Sequence, residues 1–502
     1  MICLMREPPQ SLQNYYQQSK EIYLLHCVLQ VLEWDQQVYM PPQAAEFRAH
    51  QIEYMSRLAH EQRTSESYYR LVQELYNDMA ELTDNDRLNI ALSLESIERS
   101  RKLTPGFVAR RAKASATAYT AWTQARKQDD FQTVMPFLKE NIELAKQEAD
   151  LLGYEQYAYD ALLENYERGS TLSIIKPVLI RLGKGLQQLI PQIQAQQSEL
   201  TPSSSRYQTA SQKQLNSHIL ERLGYRFEQG RLDTTTHPFM TTLGPRDKRI
   251  TTRYCEDNYL SSLLTTLHEA GHALYAMGLK EEYVGTPLGS TESLSIHESQ
   301  SRIWENIIGR SKPFSEFLHT VLREFFPKES TSLTPEDIWH RLNFVTPSLI
   351  RVEADEVSYS IHIIIRLLLE SEIFIEGLPV EELPTRWREL YREYLDIEVP
   401  NDQEGILQDV HWYGVGFGYF PTYALGNLYS ALMMNCIRET IPNLDEQIAQ
   451  GEFGQILHWL RENVHKHGMR YRGPELAEKL SGQPLTEKPF LQYLRAKFFN
   501  EE

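Results

Sequence analysis

Residues 259–277 read YLSSLLTTLHEAGHALYAM, and this stretch governs how the rest of the sequence is interpreted. Its leucines recur at helical spacing, which predicts an amphipathic helix along the whole stretch. Asp257 or Asn258 offers an N-cap, and Gly278 follows at a position where helices often end. The angular spacing of the side chains on such a helix is fixed, so the sequence shows which of them share a face and can act together.

A pair of histidines on this predicted helix indicates a metal site. His268 and His272 are four residues apart, so both imidazoles lie on one helical face and can reach one ion. Glu269 lies roughly 100° around the helix axis, within reach of a water molecule on that ion, as a general base must be. In a chain with 15 histidines the pattern also arises by chance, as polar neighbours on a half-buried helix. The helical context favours a zinc site.

A catalytic zinc ion needs a third protein ligand and one open position. The motif with a third histidine six residues further on is excluded, because Gly278 stands there. The remaining option is a glutamate on a second helix, and residues 295–306 predict such a helix. Ser295 is its expected N-cap, with Glu298 at the third position of a capping box.

Residues 292–305 offer several possible third ligands. Glu298 is our first choice, although the same residue could act only as a helix cap. His297, Glu292 and Glu305 are rival ligands in the same stretch. Glu292, Glu305 and Asp355 are unranked candidates for the outer carboxylate that would fix an imidazole tautomer.

The composition excludes several classes of protein. The 502 residues carry a net charge of −17, which argues against nucleic-acid or anionic-membrane partners, because both need basic patches. Four scattered cysteines without a C-x-x-C pair indicate reduced thiols, not a disulfide framework. No apolar run of about 18 residues occurs, and residues 1–9 lack a secretory leader pattern. We therefore expect a soluble cytoplasmic protein.

Most of the remaining sequence has helical periodicity, and one region departs from it. Residues 239–243 and 249–254 are rich in β-branched and aromatic residues and flank a turn-like stretch, which predicts a hairpin. Such a hairpin could hold an extended peptide by strand addition or simply connect two helices. The stretch Thr-Pro-Ser-Ser-Ser at 201–205 predicts a loop. Apolar residues recur at helical spacing in segments near 10–34, 43–80, 84–102, 106–127, 131–150 and 171–198, which predicts helices there.

Together with the 268–272 motif, the run His297-Glu298-Ser299-Gln300 resembles the Taq-type thermostable metallocarboxypeptidase family of zinc exopeptidases. The likeness extends over nearly the whole chain, although Ser295 stands where the family pattern leads us to expect glycine. Further matching stretches are Trp34-Asp35 with Met40-Pro41-Pro42, His237-Pro238-Phe239, Asp247-x-Arg249-x-Thr251, Ile350-Arg351-x-x-Ala354-Asp355, Gly405-x-x-Gln408-Asp409-x-His411-Trp412 and Tyr419-Phe420-Pro421-Thr422-Tyr423.

This resemblance implies a mainly α fold. The expected architecture is a large, helical, two-lobed body with a deep central cleft, like that of angiotensin-converting-enzyme-like and neurolysin-like peptidases, and a small β-sheet near the active site. A single catalytic domain would occupy 1–502, with a helical N-terminal part at about 1–200 and a catalytic part at about 206–502. Many members of the family are homodimers, so a homodimer is expected. The resemblance also selects Glu298 as the third ligand.

The resemblance further assigns roles to residues outside the metal site. His411 and Tyr423 are placed to stabilise the tetrahedral intermediate. Without the likeness, His411 would be a core histidine beside Trp412, and Tyr423 a packed aromatic residue.

Recognition of the substrate's C-terminal carboxylate falls to Arg351, because a planar guanidinium binds carboxylates through paired hydrogen bonds. The competing interpretation of Arg351 is a surface ion pair with Glu353 or Asp355. His237 and Arg249 are weaker candidates, for substrate contacts or for shaping the hairpin.

The leading hypothesis is therefore a zinc metallocarboxypeptidase of broad specificity that acts on peptides, with Glu269 as general base and then general acid. One zinc ion is expected per chain, with cobalt as a conceivable replacement. A related oligopeptidase or dipeptidyl-carboxypeptidase would use the same metal site. The alternative from another class is a helical binding protein with a structural zinc, for which His297 would have to supply a fourth ligand.

Overall fold

The computed structural model describes residues 8–200 and 205–499. Helix accounts for 70% of the chain and strand for 3%, so the predicted mainly helical class with a small sheet is confirmed. In chain order the α-helices and strands are α1 (Gln10–Val38), α2 (Ala45–Arg63), α3 (Glu66–Asn77), α4 (Asp84–Lys102), α5 (Pro105–Gln128), α6 (Phe131–Leu152), α7 (Ala158–Leu163), α8 (Leu172–Gln196), α9 (Thr209–Leu223), β1 (Gly230–Thr234), β2 (Met240–Gly244), β3 (Asp247–Thr252), α10 (Tyr259–Gly278), α11 (Leu294–Arg302), α12 (Lys312–Phe325), α13 (Pro335–Leu342), α14 (Tyr359–Ser371), α15 (Leu383–Leu395), α16 (Pro421–Thr440), α17 (Leu444–Ala449), α18 (Gly454–Asn463), α19 (Gly473–Ser481) and α20 (Lys488–Phe499).

The helical periods of the first 200 residues correspond to α1 to α8 with two differences. The predicted segment 43–80 is divided into α2 and α3, because Ser65 accepts a hydrogen bond from the Tyr68 N–H (3.3 Å) and so caps a new helix. The six residues of α7 are too few to show a period in the sequence. None of the described helices combines the length and apolar composition that a membrane crossing requires.

The chain divides into two compact units, each assembled from three separated segments. The first unit comprises the described residues of Met1–Lys102, Tyr207–Glu292 and Glu452–Tyr471, and the second those of Leu103–Arg206, Ser293–Gly451 and Arg472–Glu502. The segments of the first unit come from both of the predicted parts, 1–200 and 206–502, and that division stays a prediction. The loop expected at 201–205 lies, except for its last residue, outside the described residues. The assignment of one catalytic domain to 1–502 stays a prediction.

Helix α10 is the best-buried helix of the first unit. Leu267 and Leu274 have no solvent exposure, and the helix packs against α9 and β3. Asn258 occupies the N-cap position, but its side chain makes no capping hydrogen bond. Gly278 is the last helical residue, so the helix extends one residue beyond its predicted end at residue 277. A Cβ atom on Gly278 would lie 2.5 Å from Nδ1 of His465, so close packing requires the glycine.

The predicted hairpin is present as β2 and β3, which pair antiparallel. A third strand, β1, pairs in parallel with β3 and places Arg231 opposite Arg249, so that the strand order is β1-β3-β2. The sequence did not predict β1, because its five residues include Gly230 and Asp233 and lack a clear alternation.

In the second unit, α11 packs along α16, and α14 is buried around most of its circumference. Three basic or acidic side chains lie among the apolar residues of α14, namely His362, Arg366 and Glu370, and each has no solvent exposure. Charged groups this deep need partners within the protein. Helix α14 therefore forms a buried polar scaffold for the loops that surround it.

Candidate active site

Three side chains of metal-binding type come together: His268 and His272 of α10 and Glu298 of α11. One ligand atom from each lies within 4.8 Å of the others, and the two imidazole centroids are 4.9 Å apart. Among the residues that the structure describes, this is the only group of three or more histidine, cysteine or acidic residues with that spacing. Two imidazoles and one carboxylate fit a divalent metal that keeps an open position. Glu269, next to the first histidine, is 7% exposed.

The rival ligands do not join this group. Glu305 lies near the guanidinium groups of Arg302 (3.4 Å) and Arg310 (3.7 Å). The carboxylate of Asp355 accepts hydrogen bonds from the backbone N–H groups of residues 357 and 358 (2.9 and 3.0 Å), just before α14. His297 and Glu292 are likewise absent from the set of ligand atoms within 4.8 Å.

Glu298 is held from two sides. Arg302, one turn further along α11, donates from Nε to the Glu298 carboxylate (2.7 Å) and stacks over the Tyr359 ring at 4.7 Å. Burial opposes the charge of Arg302, but Glu298 and Glu305 outweigh this and raise the pKa of the guanidinium. On the other side, α16 presents Gly426, where a Cβ atom would lie 2.6 Å from Cγ of Glu298. Gly426 was not identified from the sequence.

The start of α11 differs from the prediction. Ser293 is the N-cap residue, and Ser295 lies inside the helix, so the predicted capping box of Ser295 and Glu298 is wrong. The reason is a buried acid: Glu167 accepts hydrogen bonds from the backbone N–H of Ser295 (2.7 Å) and from its hydroxyl. The serine that replaces the expected glycine thus binds Glu167 instead of capping the helix.

A buried ion cluster lies beside α14. Asp409 accepts hydrogen bonds from Arg351 (Nε 3.1 Å, Nη2 2.8 Å) and from Arg366 (Nε 2.7 Å). Burial alone would raise the pKa of Asp409, but Arg366 and Arg351 outweigh it and hold the pKa below its usual range. Two guanidinium groups and one carboxylate leave a net positive charge.

Arg351 has a different ion-pair partner from those considered in the sequence. Its carboxylate partner is Asp409, 58 residues away, instead of Glu353 or Asp355. Its Nη1 also donates to the Tyr359 hydroxyl (3.0 Å), and the residue is 6% exposed. These bonds fix the guanidinium and still leave one N–H on each Nη atom for a further acceptor.

His411 and Tyr423 are close to this cluster. His411 Nδ1 lies 3.9 Å from Asp409 Oδ1, and burial lowers the pKa of the imidazole to about 4, so it is neutral at pH 7. The Tyr423 hydroxyl lies 3.5 Å from that of Tyr419, and burial raises the pKa of Tyr423 well above 10. Both side chains are uncharged hydrogen-bond donors. Tyr419 was not among the predicted site residues.

The loop that carries His411 is held by another residue that the sequence analysis missed. Glu370 of α14 accepts hydrogen bonds from Trp412 Nε1 (2.6 Å), the Tyr159 hydroxyl (2.7 Å) and the Gly418 N–H (3.1 Å). Burial raises the pKa of Glu370 to about 7. An acidic residue within the mostly apolar α14 sequence was the signal that could have revealed it.

The two hairpin candidates lie in the first unit. His237 is exposed just before β2. Arg249 on β3 donates to both carboxylate oxygens of Asp247 (2.9 and 2.8 Å) and stacks over the Trp34 ring at 4.3 Å. Asp247 and Trp34 therefore fix the guanidinium of Arg249 against the hairpin.

The chain is similar to proteins that have been characterised or solved. A family model described as carboxypeptidase Taq (M32) metallopeptidase matches residues 14–498. Thermostable carboxypeptidase 1 of Thermus thermophilus is 38% identical over 98% of this chain and 99% of its own length. Carboxypeptidase 1 of Bacillus subtilis is 36% identical over 94% of this chain and 94% of its own length. Among solved structures, the crystal structure of an M32 carboxypeptidase from Deinococcus radiodurans superposes on this chain with a TM-score of 0.96. The two sequences are 34% identical, and the match covers 98% of this chain and 99% of the other.

Proposed function

Because the chain belongs to the carboxypeptidase Taq (M32) metallopeptidase family, we propose how this metallocarboxypeptidase works. It is a zinc enzyme that hydrolyses the last peptide bond of its substrates, releases one amino acid at a time and has broad side-chain specificity. The observation that carries this proposal is the approach of His268, His272 and Glu298 to within 4.8 Å. A zinc ion held by these three residues would polarise the scissile carbonyl and make a water molecule acidic near neutral pH.

Glu269 is the general base and then the general acid. It follows His268 directly on a regular helix and is itself buried, which supports a position of its carboxylate beside the metal ligands. The carboxylate takes a proton from the attacking water and delivers it to the leaving amine. A glutamine at this position could do neither, because an amide does not accept that proton.

His411 and Tyr423 donate hydrogen bonds to the oxyanion that develops on the scissile carbonyl. The lowered pKa of His411 keeps an N–H on a neutral ring, and the raised pKa of Tyr423 keeps its hydroxyl protonated. A donor of this kind is typically worth about 3–4 kcal/mol in the transition state. Neutral donors also avoid the repulsion that a second cation beside the metal would cause.

Arg351 binds the carboxylate of the substrate's last residue. Asp409 and Tyr359 hold its guanidinium in one orientation, and the remaining Nη N–H groups are available to the substrate. Arg366 adds a second positive charge to the cluster, so its net charge attracts an anion. A peptide with an amidated C-terminus lacks the group that this cluster recognises.

The hairpin holds the extended part of the peptide. β2 is an edge strand of the sheet, and an edge offers unpaired backbone groups to an extended chain. The pair of Asp247 and Arg249 keeps the hairpin in shape, and His237 contacts the peptide at the entrance to β2. The proposal also includes one zinc ion per chain, replaceable by cobalt, and a cytoplasmic homodimer.

Products from matched peptides test this function. An N-terminally blocked peptide and its C-terminal amide are incubated with the metal-loaded protein, and the products are followed by mass spectrometry. We expect stepwise loss of single residues from the free acid and at least about 100-fold slower cleavage of the amide. Equal cleavage of both peptides, or release of dipeptides, would contradict the proposal. Protein with Glu269→Gln, purified in the same way, controls for contaminating peptidases.

A further inference from the structure

A cavity of about 280 Å³ lies in the first unit and is not lined by any residue proposed above for catalysis. Its walls come from α1, the last turn of α2, α3, α4, residues 285–290 and Met469. Its volume is roughly nine times the volume per molecule in liquid water. The cavity contains one guanidinium group, that of Arg63.

Arg63 differs from the other arginines discussed above. Arg302, Arg351 and Arg366 each have a carboxylate oxygen within 2.6 to 2.8 Å. Arg63 is partly buried, and no carboxylate of the described residues lies within 4.0 Å of its guanidinium. Its hydrogen-bond partner is the Ser96 hydroxyl. A desolvated cation without an anion is unfavourable, so the site is electrostatically incomplete.

The hydroxyl groups beside Arg63 are ready to bind an acceptor. The Ser19 and Tyr68 hydroxyls lie 2.8 Å apart, as do those of Tyr15 and Ser93, and in each pair either oxygen can be the donor. Ser19, Tyr68 and Ser93 line the cavity, so one hydrogen of the first pair, and that of Ser93 when Tyr15 donates to it, is able to turn towards a bound anion. The pKa of Arg63 is lowered by burial and raised by Tyr68, and no acidic residue contributes to its shift.

The rest of the wall restricts the kind of anion. His26 lines the cavity, and desolvation together with Arg63 lowers the pKa of its imidazole, so the cavity has a single positive charge at neutral pH. One charge matches a monoanion better than a dianion. A hydrocarbon group would be covered by the apolar residues of the wall, which are Ile22, Leu92, Ile97, Pro287 and Met469.

We propose that this cavity binds a small organic carboxylate. Arg63 holds the carboxylate through paired N–H groups, the neighbouring hydroxyls donate to it, and the apolar wall covers its hydrocarbon part. A bare inorganic ion would leave most of the cavity unfilled. Inorganic phosphate shares the affinity for guanidinium, but its second charge at neutral pH has no partner here.

Equilibrium dialysis of radiolabelled butanoate against the full-length, metal-loaded protein tests the proposal, with sodium chloride keeping the ionic strength constant. We expect the wild-type chain to bind one more butanoate than the Arg63→Met variant. Arg63→Lys keeps the charge without the planar fork and should bind at least about tenfold more weakly. Arg70→Met, at an exposed position on α3 where Arg70 pairs with Glu66, is the matched control and should bind like the wild type.

Calorimetry and competition complete the test. Without butanoate, Arg63→Met should melt about 1–3 °C above the wild type, because it removes an uncompensated charge. Excess butanoate should narrow that difference by stabilising the wild type. Undiminished binding by Arg63→Met, or no saturable binding by the wild type, would overturn the site. Tighter binding of inorganic phosphate than of butanoate would overturn the assignment to a carboxylate.

Discussion

The helix α10 and the loop at 405–420 hold proposed catalytic residues in two different ways. In α10, the separation of His268 and His272 follows from one turn of regular helix. The loop has little regular structure, and Val415 adopts a φ of 59°, which is unusual for a β-branched residue. Contacts from distant segments hold it: Asn141 of α6 donates to the carbonyls of Trp412 and Tyr413 at 3.1 and 3.0 Å. Regular helix geometry is enough to position the side chains of α10, whereas the loop depends on a network of hydrogen bonds from distant segments.

This difference implies different responses to substitution. A change at a side chain on α10 should remove chemistry and leave stability almost intact, because the backbone there needs no help from that side chain. A change in the network should reduce activity and stability together, because the same bonds serve both.

Glu269→Gln should lower kcat by roughly 10³- to 10⁴-fold, because the amide cannot accept the proton of the attacking water. Metal content, measured by inductively coupled plasma mass spectrometry, should remain at the wild-type level, and the melting temperature should hardly change. Glu282→Gln, at an exposed residue after the same helix, is the matched control. A variant that keeps more than a tenth of the wild-type rate would remove Glu269 from its role.

Asp409→Asn should lower kcat/KM for free-acid peptides by roughly 10²-fold, because Arg351 loses its orientation. It should also lower the free energy of unfolding by about 3–5 kcal/mol, because two buried guanidinium groups lose their counterion. Steady-state kinetics and chemical denaturation measure both effects. Asp445→Asn, which removes the exposed partner of Arg438, should change neither. Loss of activity with unchanged stability would break the contrast between the two regions.

Gly426→Ala tests whether packing from α16 positions Glu298, the proposed third ligand. The new methyl group would lie 2.6 Å from Cγ of Glu298, so the carboxylate must move. Zinc affinity, measured by competition with a chelator, should fall about 10- to 100-fold. Gly106→Ala adds a methyl group with no atom within 4 Å and should leave the affinity unchanged. Equal affinities for both variants would show that Glu298 does not depend on this contact.

The smallest expected effect concerns the pH dependence of stability through Glu370. Its native pKa is raised from 4.5 to about 7, so the native state holds the proton more tightly than the unfolded chain. The resulting stabilisation is full below about pH 4.5 and is lost as the pH rises through about 7. Between pH 5 and pH 8 the melting temperature of the wild type should therefore fall about 3 °C more than that of Glu370→Gln. Parallel profiles in scanning calorimetry would contradict this.

Sequence reasoning succeeded where residues close together in the sequence determine the structure. The helix of His268 and His272, the hairpin and the helical periods of the first 200 residues all follow from short-range patterns. It failed where a distant side chain decides the geometry. Ser295 was expected to cap its helix because the buried acid that binds it, Glu167, is 128 residues away.

The same limit applies to the candidate site. The partner of Arg351 could not be predicted, because Asp409 belongs to another motif and comes near it only in the folded chain. Gly426 showed no signal either, since a glycine in a helix has many explanations and only the position of Glu298 distinguishes them. Family resemblance supplied the roles of His411 and Tyr423, which spacing alone did not indicate.

The division of the chain into interleaved segments has a consequence for synthesis. The first unit contains both the N-terminal helices and Glu452–Tyr471, so a ribosome must translate more than nine-tenths of the message before that unit is complete. Until then, α9 and α10 lack the side chains that this segment packs against them, such as Leu457 beside Gly224 and His465 beside Tyr275, and chain elongation proceeds at about 5–20 residues per second. We expect the surface of α9 and α10 that this segment covers to stay exposed for roughly 10–40 s during synthesis, long enough for a ribosome-associated chaperone to bind it.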